Sequence, residues 1–251
     1  MIRKLAAFTI AAQFIGGVAI AHADTVFAGP YAGVSATYIK ADIDWETTDT
    51  YAPNGTPIPA SSDPKEGLSD SSFALGVFGG FNHQLNNEWL VGVELAYRMV
   101  DLSDDISDRI PGLGEANDPN SFSEVEAEKE LGLGVRAGYL LQEDMVVYGS
   151  LNIIQLDVEA SVTCPADTTV CNPADGTQTF KNDDTLRGWG LGLGVEKVLA
   201  EKFVIRGEYR YADYGDFDFT AFPADPTSRF GAESQVDVES HSLEIGGAYL
   251  F

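Results

Sequence analysis

The sequence predicts an all-β protein, a closed eight-stranded antiparallel transmembrane up-and-down β-barrel. Three observations lead to this prediction. Alternating, glycine-rich segments recur in pairs around short polar turns. Long polar stretches separate the pairs, and the final residues, HSLEIGGAYLF, have the alternation of one more strand. Short connections at one end of a sheet and long ones at the other are typical of membrane barrels.

The beginning of the chain has the features of a secretory signal peptide. Arg3 and Lys4 precede an apolar stretch that closes with an Ala21-His22-Ala23 cleavage site. A transmembrane anchor is the alternative, but no stop-transfer pattern follows. We therefore expect a signal peptide over 1–23 and a barrel domain over 24–251. Without Arg3 and Lys4 the formal charge falls from −24 to −26, which excludes nucleic-acid binding through phosphate neutralisation.

Three passages of similar sequence predict three β-hairpins. Each has a glycine-rich alternating run, a short polar turn and a second alternating run. They are LGVFGGFNHQLNNEWLVGVELAYR from Leu75, LGLGVRAGYLLQEDMVVYGSLNI from Leu131 and LGLGVEKVLAEKFVIRGEYRYAD from Leu191. One strand precedes them, from Pro30, and the C-terminal strand follows them. Long polar loops are expected over 46–70, 104–123, 163–184 and 216–234.

These connections give eight strands, with the last paired to the first so that no sheet edge faces lipid. The period-2 pattern gives each strand an apolar face and a face of small or charged residues. A soluble ligand-carrying barrel would turn the apolar face inward, and then a run of glycines would face water without need. Placed inside a narrow eight-stranded barrel, those glycines leave room for large charged side chains. The glycines in question are Gly188, Gly190, Gly192 and Gly194.

Aromatic residues are predicted to form two interfacial bands. The band near the short turns contains Phe81, Trp89, Tyr139, Phe203, Tyr249 and Phe251. The band nearer the loops contains Tyr38, Tyr97, Trp189, Tyr209, Tyr211 and Tyr214. In the fifth strand the apolar residues change face after Ile153, and a bulge near Ile153-Ile154 would restore the pattern.

Charged residues on the inner face are expected to form a paired network, because an unpaired charge in a low-dielectric lumen is costly. The candidates are Glu94, Arg98, Arg136, Glu196, Arg206, Glu208, Arg210 and Glu244. Two readings remain open: a structural plug, or a gate in which exchanged ion pairs open a narrow ion path.

The two cysteines, Cys164 and Cys171, lie close together in TCPADTTVC. In an oxidising compartment this spacing predicts one local disulfide; a zinc pair is the alternative, but no histidine lies nearby.

Most of the 39 acidic residues fall on the loop side. Divalent cations are expected to bridge them to anionic lipopolysaccharide head groups. The densest cluster, DLSDDISD, contains Asp101, Asp104, Asp105 and Asp108 and does not match an EF-hand loop. We predict a solvated acidic surface rather than a specific metal site, and no cofactor.

A catalytic site is not expected. His241 lies beside Ser242 and near Glu244, but adjacent strand residues point to opposite faces, so no base–nucleophile contact follows. His83 lies beside a short turn on the periplasmic side. A lipid-modifying enzyme is therefore the weakest of the functional alternatives.

Over the whole segment 24–251 the chain resembles the small OmpA/OmpX-type and opacity-type barrels, porin-like surface antigens of Gram-negative outer membranes. Its most specific marker is the ending Tyr249-Leu250-Phe251. The resemblance implies that Tyr249 and Phe251 form the signal read by the barrel-assembly machinery. It implies an outer-membrane location, a role in envelope integrity and surface contact, and a host or matrix partner. A narrow low-conductance channel is the alternative. No peptidoglycan-binding domain follows the barrel, so direct cell-wall attachment is not implied.

Overall fold

The computed structural model describes residues 26–60, 63–107, 109–110, 114–115, 122–164, 176–224 and 230–251. None of these residues forms a helix that is long and apolar enough to span a membrane. Eight long strands dominate the described chain. They are β1 (Gly29–Tyr51), β2 (Lys65–Gln84), β3 (Trp89–Ser107), β4 (Phe122–Gln142), β5 (Met145–Cys164), β6 (Gln178–Ala200), β7 (Phe203–Phe222) and β8 (Gly231–Leu250).

Each long strand pairs antiparallel with the next, and β8 pairs with β1 from Tyr31↔Leu250 to Tyr51↔Gly231, so the sheet closes into a ring. Short turns join β2 to β3, β4 to β5 and β6 to β7. In the first turn Asn86 Oδ1 accepts hydrogen bonds from the backbone N–H groups of Glu88 and Trp89, each at 2.9 Å. The predicted fold class, an eight-stranded antiparallel barrel, is confirmed.

The faces of the strands near the short turns are those predicted. Aliphatic and aromatic residues point outward, and Leu193 and Ile245 are 71% and 68% exposed. Leu90, Arg98 and Arg206 point inward and are buried. Since such a broad apolar exterior is stable only in lipid, this part of the barrel is the membrane-spanning part.

The prediction of the four long loops was wrong in extent, because the strands continue into the polar stretches. β1 ends at Tyr51 and β2 begins at Lys65, so much of 46–70 is strand. Likewise β6 begins at Gln178, and the β7–β8 connection spans 223–230 rather than 216–234. A tilted strand needs only about 9–11 residues to cross a membrane. The strands therefore extend well beyond it on the loop side, and we call this part the extracellular extension.

In the extracellular extension the two faces exchange character. Apolar side chains now point inward and form one buried cluster, while acidic residues point outward. The inward set includes Ile39, Ile43, Trp45, Val125, Ile154, Leu156, Val158, Leu186, Phe217, Phe219, Val236 and Val238. The outside of the extension meets water instead of lipid, and the pattern reverses accordingly.

The predicted bulge at Ile153-Ile154 was therefore wrong. β5 pairs with β6 in continuous register from Met145↔Lys197 to Cys164↔Gln178. Leu156 and Val158 point inward because the chain has left the lipid at this level.

The extension is also split along two seams. The β2–β3 ladder ends at Leu75↔Met99, and the β6–β7 ladder ends at Trp189↔Asp213. The other strand pairs remain laddered much further along the extension. The closed barrel thus opens into two four-stranded sheets, β3–β4–β5–β6 and β7–β8–β1–β2, with the apolar cluster between them.

The aromatic residues of the lower band lie close together on the outside. Trp89 packs edge-on against Tyr139 and Phe203 against Tyr249, each with ring centroids 5.2 Å apart. In the upper band Trp189 packs against Tyr211 at 5.7 Å. The prediction that Tyr214 belongs to the upper band was wrong, because Tyr214 is buried in the interior.

Several predictions concern positions that the structure does not describe. The signal peptide over 1–23, the partner residue Cys171 of the predicted disulfide and Asp108 lie outside the described residues. These remain predictions.

The three tryptophans offer a test of the orientation. Trp89 and Trp189 are 46% and 42% exposed on the outer face, whereas Trp45 is 1% exposed inside the extension. In variants that retain one tryptophan each, brominated phospholipids should quench Trp89 and Trp189 strongly and leave Trp45 nearly unchanged. Equal quenching of all three after reconstitution would contradict this orientation.

Candidate functional site: the charged lumen

The lumen has three layers. At the short-turn end an apolar cluster that includes Phe27, Leu90, Val146 and Leu250 closes the bore. A charged layer occupies the middle. The apolar cluster of the extension lies above it.

The centre of the charged layer is Glu244 on β8, held by two arginines. Arg98 donates from Nη2 to Glu244 Oε2 at 2.7 Å and from Nε to the same oxygen at 3.0 Å. Arg206 donates from Nη2 and Nε to Oε1 at 2.5 and 3.0 Å. Both carboxylate oxygens are therefore satisfied by charge-assisted bonds, the strongest class available to side chains.

From Arg206 the pairing continues toward the short turns. Arg206 Nη1 donates to Glu94 Oε2 at 2.7 Å, and Arg136 Nη1 lies 3.6 Å from the same oxygen. Arg136 then pairs with Glu196 through two contacts, Nη1 to Oε1 at 2.8 Å and Nη2 to Oε2 at 2.7 Å.

From Arg98 the pairing continues toward the extension. Arg98 Nη1 donates to Glu130 Oε1 at 2.8 Å, and Arg210 Nη2 donates to Glu130 Oε2 at 2.9 Å. The result is one chain of eight groups of strictly alternating sign. Its order is Arg210, Glu130, Arg98, Glu244, Arg206, Glu94, Arg136, Glu196.

Seven of the eight candidate residues lie in this chain, and Glu208 does not. Glu208 Oε2 instead accepts a hydrogen bond from Tyr148 at 2.7 Å. Glu130 takes the acidic place that the sequence interpretation gave to Glu208, and it is fully buried. The hairpin passage identified in the sequence begins at Leu131 and so does not include Glu130. The alternation of Gly132, Gly134 and Arg136, continued one step back, would have identified it.

Tyrosine hydroxyls complete the charged layer. Tyr31 donates to Glu94 at 2.8 Å, and Tyr214 donates to Glu130 at 2.6 Å. The guanidinium carbon of Arg136 lies 3.9 Å from the ring centroid of Tyr148, and that of Arg206 lies 3.6 Å from Phe78. These stacked rings shield the arginines from solvent and help to fix their positions.

Glycine provides the space that these side chains occupy. A Cβ atom on Gly192 would collide with Ser150 Oγ and lie 2.7 Å from Glu208 Oε1. A Cβ on Gly194 would collide with the ring of Tyr148. The glycines of β6 therefore lie opposite the large inward residues of β5 and β7.

One cavity above the charged layer is small. The cavity between Ile39, Val100, Leu156, Tyr214 and their neighbours has a volume of about 20 Å³. That is room for about one water molecule, and its walls are largely apolar.

The two histidines among the described residues do not form a site with a nucleophile. His241 is exposed on the outer face, where Nδ1 lies 2.7 Å from Tyr209 Oη. Ser242 is buried on the inner face, and Glu244 is held by two arginines. His83 is exposed near the short-turn end.

The acidic cluster on β3 contributes to one of the seams. Asp104 Oδ2 accepts the backbone N–H of Ser69 at 2.9 Å, and Asp70 Oδ2 accepts that of Ser103 at 3.2 Å. Asp101 is exposed. Within the described part of the chain no group of three or more His, Cys, Asp or Glu side chains is arranged to hold a metal ion.

A comparison with protein families matches residues 8–246 to the outer membrane protein beta-barrel domain. The chain belongs to this family of outer-membrane β-barrels, and its location is the Gram-negative outer membrane. The predicted resemblance and location are confirmed.

Two curated relatives are the 31 kDa outer-membrane immunogenic proteins of Brucella melitensis and Brucella suis. Each is 26% identical over 223 residues, which cover 89% of this chain and 83% of the relative. Among solved structures, OprG from Pseudomonas aeruginosa aligns with a TM-score of 0.52 at 17% identity and covers 91% of this chain and 99% of its own. The protease OmpT from Escherichia coli aligns with a TM-score of 0.54 at 8% identity and covers 91% of this chain and 98% of its own. At these identities the structural matches show the fold alone.

Glu130 allows a test of the buried chain. Glu130→Gln would leave Arg98 and Arg210 without one of their anionic partners in the interior, at a cost of about 3–5 kcal/mol of unfolding free energy. Glu128→Gln is the matched control, since Glu128 is exposed and pairs with Lys129 at the surface at 3.2 Å; its cost should be below about 0.5 kcal/mol. Urea unfolding in lipid vesicles, followed by tryptophan fluorescence, measures both. Equal losses would contradict a stabilising role for the chain of charges.

Proposed function

We propose that this protein is a sealed barrel with a structural role in the envelope and a display role at the cell surface. The observation that carries the proposal is the filled lumen. A continuous chain of paired charges lies between two apolar layers, and the cavity above it is about 20 Å³. A bore that is filled with fixed ion pairs and closed by apolar side chains stabilises the barrel and leaves no hydrated path.

Surface contact is assigned to the extracellular extension. Its two sheets stand above the membrane and carry acidic residues on their outer faces, including Asp42, Asp44, Asp157 and Asp237. A host or matrix partner would therefore meet a rigid acidic surface. This is a firmer platform than the long polar loops expected from the sequence, because strand pairing holds it in place.

Lipopolysaccharide is proposed as the lipid partner, through two kinds of contact. Lys40, Lys129 and Arg187 are exposed on the outer face, close to the upper aromatic residues. Their level in the barrel suits direct pairing with head-group phosphates. The acidic residues above them would need divalent cations as bridges.

Two further assignments remain proposals. Tyr249 and Phe251 pack edge-on at 5.2 Å on the outside, and Phe251 is 67% exposed; such an accessible pair suits a signal for the barrel-assembly machinery. Cys164 ends β5, and a disulfide to Cys171 would close the connection that follows.

The alternative of a narrow gated channel is tested by conductance. In planar bilayers the wild-type barrel should give no discrete channel, and Arg136→Ala should add none, because the apolar layers remain above and below it. Discrete openings in the wild type that change with Arg136→Ala would support the gate and contradict the sealed barrel. A strain that lacks the protein should also become sensitive to detergent and recover with either variant.

The basic residues above the aromatic band provide a test of lipid contact. The triple variant Lys40→Gln/Lys129→Gln/Arg187→Gln should bind lipopolysaccharide about a hundredfold more weakly, since each surface cation contributes on the order of 1 kcal/mol to contact with anionic lipid. Lys65→Gln/Lys181→Gln/Lys202→Gln is the control with equal loss of charge away from this level. Binding is measured by native mass spectrometry with and without EDTA. Equal weakening in both variants would show that only net charge matters.

A further inference from the structure

The two seams of the extracellular extension differ in how their backbone groups are satisfied. At the β2–β3 seam, carboxylates of Asp70 and Asp104 accept backbone N–H groups of the opposite strand and so replace the missing ladder. At the β6–β7 seam, Asn182 Nδ2 donates to the backbone C=O of Thr220 at 3.2 Å. The first seam is therefore bridged by side chains, whereas at the second the described β7 residues from Asp216 to Thr220 are laddered to β8 and not to β6.

Thr220 shows which backbone groups of β7 point toward the β6–β7 seam. Its C=O points toward β6, since it accepts from Asn182. In a strand the N–H and C=O of one residue point to the same side, and alternate residues repeat the direction. The N–H and C=O groups of Asp216, Asp218 and Thr220 thus face the seam, while those of Phe217 and Phe219 face β8, to which they are paired.

A groove of about 650 Å³ lies along this edge. Phe217 and Phe219, members of the apolar cluster, form part of its lining. Asp183, Asp184 and Asp218 supply carboxylates from both sides of the seam. The groove therefore combines an apolar strip, an acidic rim and a row of strand hydrogen-bonding groups.

Next to the groove, acidic residues stand directly opposite one another across three strands. Asp237 on β8 lies between Asp44 on β1 and Asp216 on β7, and Glu239 lies between Asp42 and Asp213. Like charges in facing positions destabilise a sheet. Burial, together with these neighbouring acids, raises the pKa of Asp237. The carboxylates on this outer face therefore repel one another, and a bound cationic partner would reduce that repulsion.

We propose that the free edge of β7, from Asp216 to Thr220, binds an extended cationic peptide in which basic and apolar residues alternate. The peptide adds as a strand, and its backbone pairs with the groups that face the seam. Alternation places its apolar side chains toward Phe217 and Phe219 and its basic side chains toward the acidic rim. This inference gives a class of partner for the proposed surface contact. It rests on the proposed function in one respect: the extension must lie outside the membrane.

The probe is a synthetic peptide of about six residues in which lysine and valine alternate, close in length to the edge from Asp216 to Thr220. Its control has the same composition arranged as a lysine block followed by a valine block. Binding to the refolded full-length mature barrel in nanodiscs is measured by fluorescence anisotropy. The alternating peptide should bind at least about tenfold more tightly than the block peptide, since only the former matches both faces of an added strand.

Two pairs of variants separate backbone pairing from charge. Thr220→Pro removes an N–H that faces the seam and leaves the β8 ladder intact, so affinity should fall about tenfold, whereas Thr220→Val should change it less than about twofold. Asp216→Asn/Asp218→Asn should weaken binding by about tenfold. Glu126→Gln/Glu128→Gln removes two charges from the outer face of β4, away from the groove, and should have little effect.

Four results would overturn the proposal. They are equal binding of the two peptides, equal binding by Thr220→Pro and Thr220→Val, equal weakening by the two double charge variants, and displacement of the peptide by millimolar Mg²⁺ alone at constant ionic strength. A concentration-dependent dimer that the peptide does not dissociate would assign the edge to a second copy of the chain. None of these outcomes depends on conductance or detergent sensitivity. The peptide-binding proposal and the sealed-barrel proposal can therefore fail independently.

Discussion

In a lipid bilayer every backbone N–H and C=O must find a partner within the protein, and this constraint shapes the whole barrel. The ring is fully laddered where its exterior is aliphatic. Both seams begin at the level of the upper aromatic band, at Leu75↔Met99 and Trp189↔Asp213. Where water can satisfy the backbone, closure is no longer required, and the same eight strands separate into two packed sheets.

The same boundary determines what fills the interior. Within the membrane the apolar residues are needed on the outside, so the narrow bore is left to charged residues and the glycines that make room for them. Such charges are costly unless they are paired or hydrogen-bonded; the alternating order from Arg210 to Glu196 pairs eight of them, and the Tyr148 hydroxyl holds Glu208. Above the membrane the apolar residues return to the inside, as in a soluble β-sandwich.

The membrane-spanning part could be predicted from the sequence because one rule, period-2 alternation with lipid outside, holds along each strand. The prediction failed where the environment changes along a single strand. Leu156 and Val158 indicated a bulge only under the assumption that lipid continues beyond Ile153. Glu130 lies just outside the hairpin passage that begins at Leu131, and only its even spacing from Arg136 marks it as an inward residue. The positions of the seams and the partners of each arginine depend on contacts between distant strands, so the alternation along a single strand does not predict them.

The acidic exterior of the extension is unfavourable by itself, since Asp44, Asp237 and Asp216 face one another across adjacent strands. Exposed sheet edges are likewise a liability, because they invite pairing with other chains. Charge of one sign along such an edge discourages association with a second copy of the same acidic chain and favours a basic partner. The acidic surface and the exposed strand edge are thus compatible. The negative charge disfavours pairing with a second copy of this chain and favours pairing with a basic partner.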